Sequence, residues 1–266
     1  MLVHPNFDPV AISLFGLEVH WYGLMYVAAF MSVYFLWLYR IKHLTQYSNQ
    51  KWNADVISDL IFYGALGAVI GGRVGYVLFY KPEYYLHNLL EVLYLQNGGM
   101  SFHGGLLGVI VGIAMFARKM GMTLLEVGDF VAPVAPIGLF FGRMGNFINQ
   151  ELWGKVTEVP WGMVFTNGGP LPRHPSMLYE AFLEGVLLLA VLWLVARKPR
   201  SAGTLSGLFL IGYGVARILV EFVRVPDEHL NYLFLDWVTM GQILSLPMIV
   251  LGLLLIFVAG KKNTLS

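Results

Sequence analysis

A chain of 266 residues that is 57% hydrophobic and only 12% charged departs from soluble domains, which carry about 25% charged side chains, and reads as an integral membrane protein. The formal net charge of +1 says little by itself, because the placement of the charges matters more than their sum. The absence of cysteine excludes internal disulfides, thiolate metal sites and a cysteine nucleophile, so any thiol in the chemistry must come from a partner.

The opening MLVHPNFDPV has no basic start of the kind a secretory signal carries. A helix crossing the hydrocarbon needs about 20 mostly apolar residues. Seven segments qualify, at roughly 21–39, 57–79, 100–117, 128–147, 177–196, 204–223 and 238–259. The first carries Tyr22 and Tyr26 near its start, where packing or an interfacial aromatic belt is one reading and ligand contact the other. The second contains Arg73. Residues 80–99, with PEYYLHNLLEVLYLQN, suit an amphipathic helix in the interface. The third begins at FHGGLLG, so that His103 sits at its outer start. This is either an interfacial histidine bonded to backbone or a proton-exchanging group, the role that histidine fills most readily near neutrality.

The fourth segment ends in GRMGNFINQELWG, residues 142–154, where Arg143 is followed at once by Asn146, Asn149 and Glu151. Residues 149–176 form a long loop with Trp153, Trp161 and NGGPLPRHP, a length usually functional or disordered. The fifth segment carries Glu180 and Glu184, and the sixth carries Arg217 with Glu221 four residues on, which is salt-bridge spacing. Arg224 emerges beyond it, with Asp227 and Glu228 as possible counter-charges, in a third loop at about 224–237. Glycines recur every fourth residue at Gly67, Gly71 and Gly75 and at Gly104, Gly108 and Gly112, with Gly138 and Gly142 a further pair. Close helix packing is the plain reading, and backbone approach of a lipid the alternative. GRVG (72–75) and GRMG (142–145) echo each other too briefly to mark a duplication.

Basic residues set the orientation. Arg40, Lys42, Lys51, Arg118, Lys119, Arg197, Lys198, Arg200, Lys261 and Lys262 fall on one side if all seven segments span, against Lys81, Lys155, Arg173 and Arg224 on the other. The expected fold is all-α. It is one polytopic membrane domain over residues 1–266 with seven transmembrane helices, a periplasmic N-terminus, a cytoplasmic C-terminus and short periplasmic interfacial helices or an arm.

Arg73, Arg143 and Arg217 then lie inside spans, in their outer halves. An arginine at the bilayer centre costs about 2.5–3.5 kcal/mol on insertion scales, so each needs a reason. Snorkelling or pairing with Glu180, Glu184 or Glu221 is sufficient for Arg217 and is one of two even readings for Arg73. Arg143 is set apart by its polar neighbours. A planar guanidinium donates two parallel hydrogen bonds to phosphate, and the asparagines suit hydroxyls or ester carbonyls. The residues alone therefore reach a protein that binds an anionic lipid from the side, either an enzyme or an anionic-lipid flippase or small-molecule transporter. No H-E-x-x-H, G-x-S-x-G or nucleotide-binding loop is present, and Asp129 lacks the preceding residues of a G-x-G-D protease motif.

GRMGNFINQELWG resembles the signature of bacterial prolipoprotein diacylglyceryl transferases, G-R-x-G-N-F-x-N-x-E followed by glycine three positions later. It is matched by Gly142, Arg143, Gly145, Asn146, Phe147, Asn149, Glu151 and Gly154. FHGGLLG (102–108), RHPSMLYE (173–180), EFVRVPD (221–227) and MGQILSLPMI (240–249) extend the likeness along the chain. The resemblance implies transfer of the diacylglyceryl group of phosphatidylglycerol to the lipobox cysteine of an exported preprolipoprotein, releasing glycerol 1-phosphate. This is the first step of lipoprotein maturation, at the periplasmic side of the bacterial inner membrane. In that reaction negative charge builds on the departing glycerol phosphate, so Arg143 and Arg224 are the expected catalytic cations, and His103 is the expected base by residue chemistry, with a phosphate oxygen of the lipid as the alternative. Arg143, Asn146, Asn149, Glu151, Gly154, Tyr26 and Arg73 would contact phosphatidylglycerol. No metal, cofactor or nucleic acid is called for.

Overall fold

The computed structural model describes residues 2–14, 16–44, 52–226, 233 and 237–264. The protein is mostly helical. Its two two-stranded sheets are small: β1 (Leu2–Val3) runs parallel to β4 (Met163–Val164), and β2 (Val10–Leu14) pairs antiparallel with β3 (Leu17–His20). The long helices are α1 (Trp21–His43), α2 (Ala54–Phe79), α4 (Phe102–Lys119), α9 (Thr204–Glu221) and α10 (Met240–Thr264). Together with the continuous run Ser176–Val195 they make, among the described residues, six helices long and apolar enough to cross a membrane.

The seventh expected span, 128–147, is broken. It is built from α5 (Leu124–Val131) and α6 (Ala135–Ile148), bent by 50°. The sequence supplies the cause in VAPVAP: Pro133 falls in the break and Pro136 in the first turn of α6. Proline offers no backbone N–H and clashes with the preceding turn, so α5 stops and α6 restarts on a new axis. The run Ser176–Val195 is also irregular. It comprises α7 (Ser176–Glu180), a π-helical stretch at Ala181–Leu187 and α8 (Leu188–Val195). Such stretches recur at functional sites.

The chain divides into two compact units, Met1–Trp37 with Asp129–Ser266, and Leu38–Gly128. In the second unit α2 and α4 pack along their glycines. A Cβ at Gly108 would lie 1.9 Å from the Gly67 carbonyl oxygen, and one at Gly71 would lie 2.3 Å from that of Gly104. Here the close-packing reading of the glycine spacing holds. Asn53 caps α2 by accepting the Val56 N–H at 2.9 Å, and Ser101 caps α4 through the Gly104 N–H at 3.2 Å. The stretch 80–99 is not one amphipathic helix. It is α3 (Pro82–His87) followed by two short 3-10 turns.

The first unit is anchored on α9. Buried Asp129 accepts hydrogen bonds from the Gly203 N–H (2.9 Å), the Ser206 N–H (2.8 Å) and the Ser206 hydroxyl (2.7 Å). It therefore satisfies the orphan donors at the start of that helix. Nearby, Ala132, Ala196 and Leu205 form a buried apolar cluster with Val195 and Phe209 against it. Trp37 of α1 stacks on Phe130 and donates its indole N–H to the Phe130 carbonyl at 3.1 Å. α9 packs along α10.

Candidate functional site

Arg143 lies on α6, and its guanidinium does not stand alone. Its Nε is 2.5 Å from Glu180 Oε2 and its Nη2 is 3.8 Å from Glu184 Oε2, while Nη1 donates to Asn146 Oδ1 at 3.4 Å. The pairing expected for Arg217 thus extends to Arg143. Arg217 is bound by Glu221, one helical turn along, and reaches Glu180 Oε1 at 3.3 Å. Arg224 reaches the same oxygen at 3.7 Å. Glu180 is fully buried and meets guanidiniums from α6, α9 and the residue cluster just beyond α9. Glu221 in turn accepts a hydrogen bond from the Thr239 hydroxyl at 2.6 Å. Arg143, Arg217 and Arg224 are therefore balanced by Glu180, Glu184 and Glu221.

The polar residues after Arg143 continue the network. Asn146 donates through Nδ2 to Glu151 Oε2 at 3.0 Å, and Asn149 donates to Glu151 Oε1 at 3.2 Å. One turn of α6 and the loop after it thus line up Arg143, Asn146, Glu151 and Asn149. The side chain of Arg143 keeps 19% of its surface exposed, against 0% for Glu180. Asp227 and Glu228, the counter-charges expected for Arg224, lie outside the described residues, as does Lys51.

Gly154 positions Arg224 by leaving room. The two pair backbone to backbone, and the Gly154 N–H donates to the His174 carbonyl at 2.8 Å. A Cβ there would sit 2.5 Å from the Val223 carbonyl oxygen and 2.8 Å from His174 Cβ, so any side chain would push these segments apart. The long loop is ordered by Arg173, which donates to the Gly168 carbonyl at 2.7 Å and lies 4.1 Å over the Trp153 ring. The Tyr179 hydroxyl of α7 accepts from the Trp161 indole of the loop at 2.7 Å and lies 3.1 Å from His174 Nδ1. Burial pushes the His174 imidazole below its ordinary value, which suits a neutral ring that accepts this bond.

Tyr26 is 52% exposed, with its hydroxyl 3.4 Å from that of Tyr22. The Tyr22 ring closes on α6, where a Cβ at Gly145 would come within 2.8 Å of it. His103 is exposed in the first turn of α4, edge-on to Phe102.

Arg73 has another occupation. Its Nε donates to Val92 O at 2.8 Å, its Nη1 to Gly98 O and Gly99 O at 2.5 and 3.1 Å, and its Nη2 to Glu91 O and Tyr94 O at 2.6 and 3.1 Å. Backbone carbonyls thus meet the whole fork, so that Arg73 ties down the turns after α3. Arg73→Gln should lower stability by about 3 kcal/mol or more, since each buried carbonyl left without a donor costs roughly 1–3 kcal/mol. Thermal melting in detergent checks this, and an unchanged midpoint would show that the turns stand without the arginine.

Glu180 is the residue that sequence reasoning undervalued, because it treated this acid only as a counter-charge. The available signal was a pair of acids four residues apart in an otherwise apolar span, which marks an inward-facing polar position.

The family model described as prolipoprotein diacylglyceryl transferase matches residues 9–258. The phosphatidylglycerol–prolipoprotein diacylglyceryl transferase of Legionella pneumophila (strain Lens) is 53% identical over 253 residues, covering 95% of this chain and 97% of its own. The protein of the same name from Idiomarina loihiensis is 54% identical over 259 residues, covering 97% and 95%. That from Nitratidesulfovibrio vulgaris (strain DP4) is 52% identical over 264 residues, covering 99% of both.

Proposed function

The chain belongs to the prolipoprotein diacylglyceryl transferase family, and from that premise we propose that it transfers the sn-1,2-diacylglyceryl group of phosphatidylglycerol to the lipobox cysteine thiol of preprolipoproteins. It is a multi-pass membrane transferase. The flippase or transporter alternative finds no support among relatives matched along nearly their whole length. The charge pattern supports an N-terminus outside, a C-terminus in the cytoplasm and an active site toward the periplasmic side of the inner membrane.

One observation carries the assignment of roles. Arg143 and Arg224, 81 positions apart in the sequence, converge on a single buried carboxylate, Glu180. In the reaction the cysteine S–H loses its proton and the sulfur attacks the glyceryl carbon that bears the phosphate ester. The C–S bond forms as the C–O bond breaks, and the electron pair leaves on the phosphate oxygen of glycerol 1-phosphate. Negative charge therefore grows on the departing phosphate, where preorganised cations stabilise most. Arg143 and Arg224 supply them. Asn146, Asn149 and Glu151 orient the headgroup or Arg143. Gly154 keeps the backbone approach that sets Arg224, and Tyr26 borders the headgroup.

A thiol of pKa about 8.5 needs a base near neutrality. His103 is assigned that role on residue chemistry, with a phosphate oxygen of the lipid as the competing acceptor. Purified protein in phosphatidylglycerol liposomes is expected to release glycerol phosphate only when a cysteine-containing lipobox peptide is present. Release without the peptide, or none with it, would overturn the transferase reading. In the same assay His103→Gln should be slow at neutral pH, and a full rate there and at high pH would remove the histidine from the base role.

A further inference from the structure

Glu151 sits in a strained turn. The residues on either side, Gln150 (φ 55°) and Leu152 (φ 59°), are both left-handed although neither is glycine. Such conformations are strained and persist only where the surroundings impose them. On one side the cause is plain: buried Ser176 donates its hydroxyl to the Leu152 carbonyl at 2.7 Å.

On the other side the hold comes from remote segments. The Gln150 side-chain amide donates to Asn6 Oδ1 at 3.1 Å and accepts the Thr166 N–H at 2.8 Å, while the Thr166 hydroxyl donates to the same Asn6 oxygen at 2.7 Å. Three residues from three parts of the chain thus close a ring of hydrogen bonds. Asn6 is itself left-handed, at φ 52°, and is fixed from behind. Its N–H donates to His4 Nδ1 at 3.0 Å, and His4 Nε2 donates to the Phe147 carbonyl in the last turn of α6 at 2.9 Å. The His4 ring is buried against Phe7, Phe147 and Phe165. The segment before β2 is therefore a strap, riveted to α6 by His4 and to the turn by Asn6.

We propose that Asn6, Gln150 and Thr166 are positioning residues for the transfer reaction, forming a clasp that holds the strained turn so that Glu151 is presented to Asn146 and through it to Arg143. The inference rests on the transferase reading. None of the three touches Arg143, and their effect runs through Glu151, whose carboxylate meets Asn146 at 3.0 Å.

The test uses the full chain in phosphatidylglycerol liposomes with a lipobox peptide. Gln150→Gly removes the amide yet leaves a backbone at ease at φ 55°, and Thr166→Val removes only a hydroxyl. Each should lose about tenfold to a hundredfold in kcat, the scale that small misplacements of a catalytic group produce, with KM for the peptide and the melting midpoint unchanged. Thr166→Ser, which keeps the donor, should restore most of the rate. Wild-type kcat in both Gln150→Gly and Thr166→Val, a loss that follows a falling melting midpoint, or Thr166→Ser as slow as Thr166→Val would overturn the clasp while leaving the transferase reading intact. Absence of transfer by the unmodified protein would instead remove that reading, and the clasp with it.

Discussion

Arg143→Lys is expected to cut diacylglyceryl transfer by about a hundredfold or more, the scale on which removal of one oriented donor acts, while the protein remains folded and inserted. Lysine keeps the charge but loses the planar fork. In the native site that fork divides its work. Nε faces Glu180 at 2.5 Å and Nη1 faces Asn146 at 3.4 Å, so one group is both fixed by a buried acid and turned toward the amides. A lysine ammonium drawn to Glu180 has no second edge to offer a departing phosphate. Initial rates in phosphatidylglycerol liposomes, with thermal melting as the folding control, decide the matter. A lysine variant near the normal rate would mean that charge alone suffices and that the fork is incidental.

Glu180→Gln should act on stability as well as on rate. The carboxylate is fully buried and meets Arg143, Arg217 and Arg224. Glutamine has the same shape but removes a negative charge that all three share. Breaking a buried ion pair from one side costs about 3–5 kcal/mol, because the partner charge stays buried without compensation. Here three partners share the loss, and Glu184, 3.8 Å from Arg143, is too loosely placed to replace it. The expected result is a clearly lowered melting midpoint together with transfer near background. A variant that melts normally and transfers normally would show that Glu180 is dispensable to the cluster.

The sequence made the spans legible because hydrocarbon thickness imposes a length on every apolar run. Arg143, Asn146, Asn149 and Glu151 were legible as a group because they are neighbours in the chain. Convergence was harder to read. Glu180 gathers arginines from positions 143, 217 and 224, and no local pattern states that three distant residues share one acid. The anchoring of Arg73 was hard to read for a related reason. Its partners are carbonyls of residues 91–99, and a carbonyl is present at every position, so it leaves no mark in the sequence. The break within 128–147 did have a sign, the prolines at 133 and 136, but a proline within an apolar run can kink a span without dividing it. The strap of residues 2–6 was invisible, since a two-residue parallel pairing has no periodicity and the ring at Asn6 joins residues up to 160 positions apart.

Matching Arg143, Arg217 and Arg224 against Glu180, Glu184 and Glu221 has a consequence for how substrate arrives. Opposite charges packed within a few ångströms offset one another beyond their immediate surroundings, which weakens the field such a group projects. On the proposed function, such a cluster would draw phosphatidylglycerol from afar less than an unbalanced basic patch does. Lateral diffusion would then bring the headgroup to the door, with recognition beginning on contact, by shape and hydrogen-bond direction.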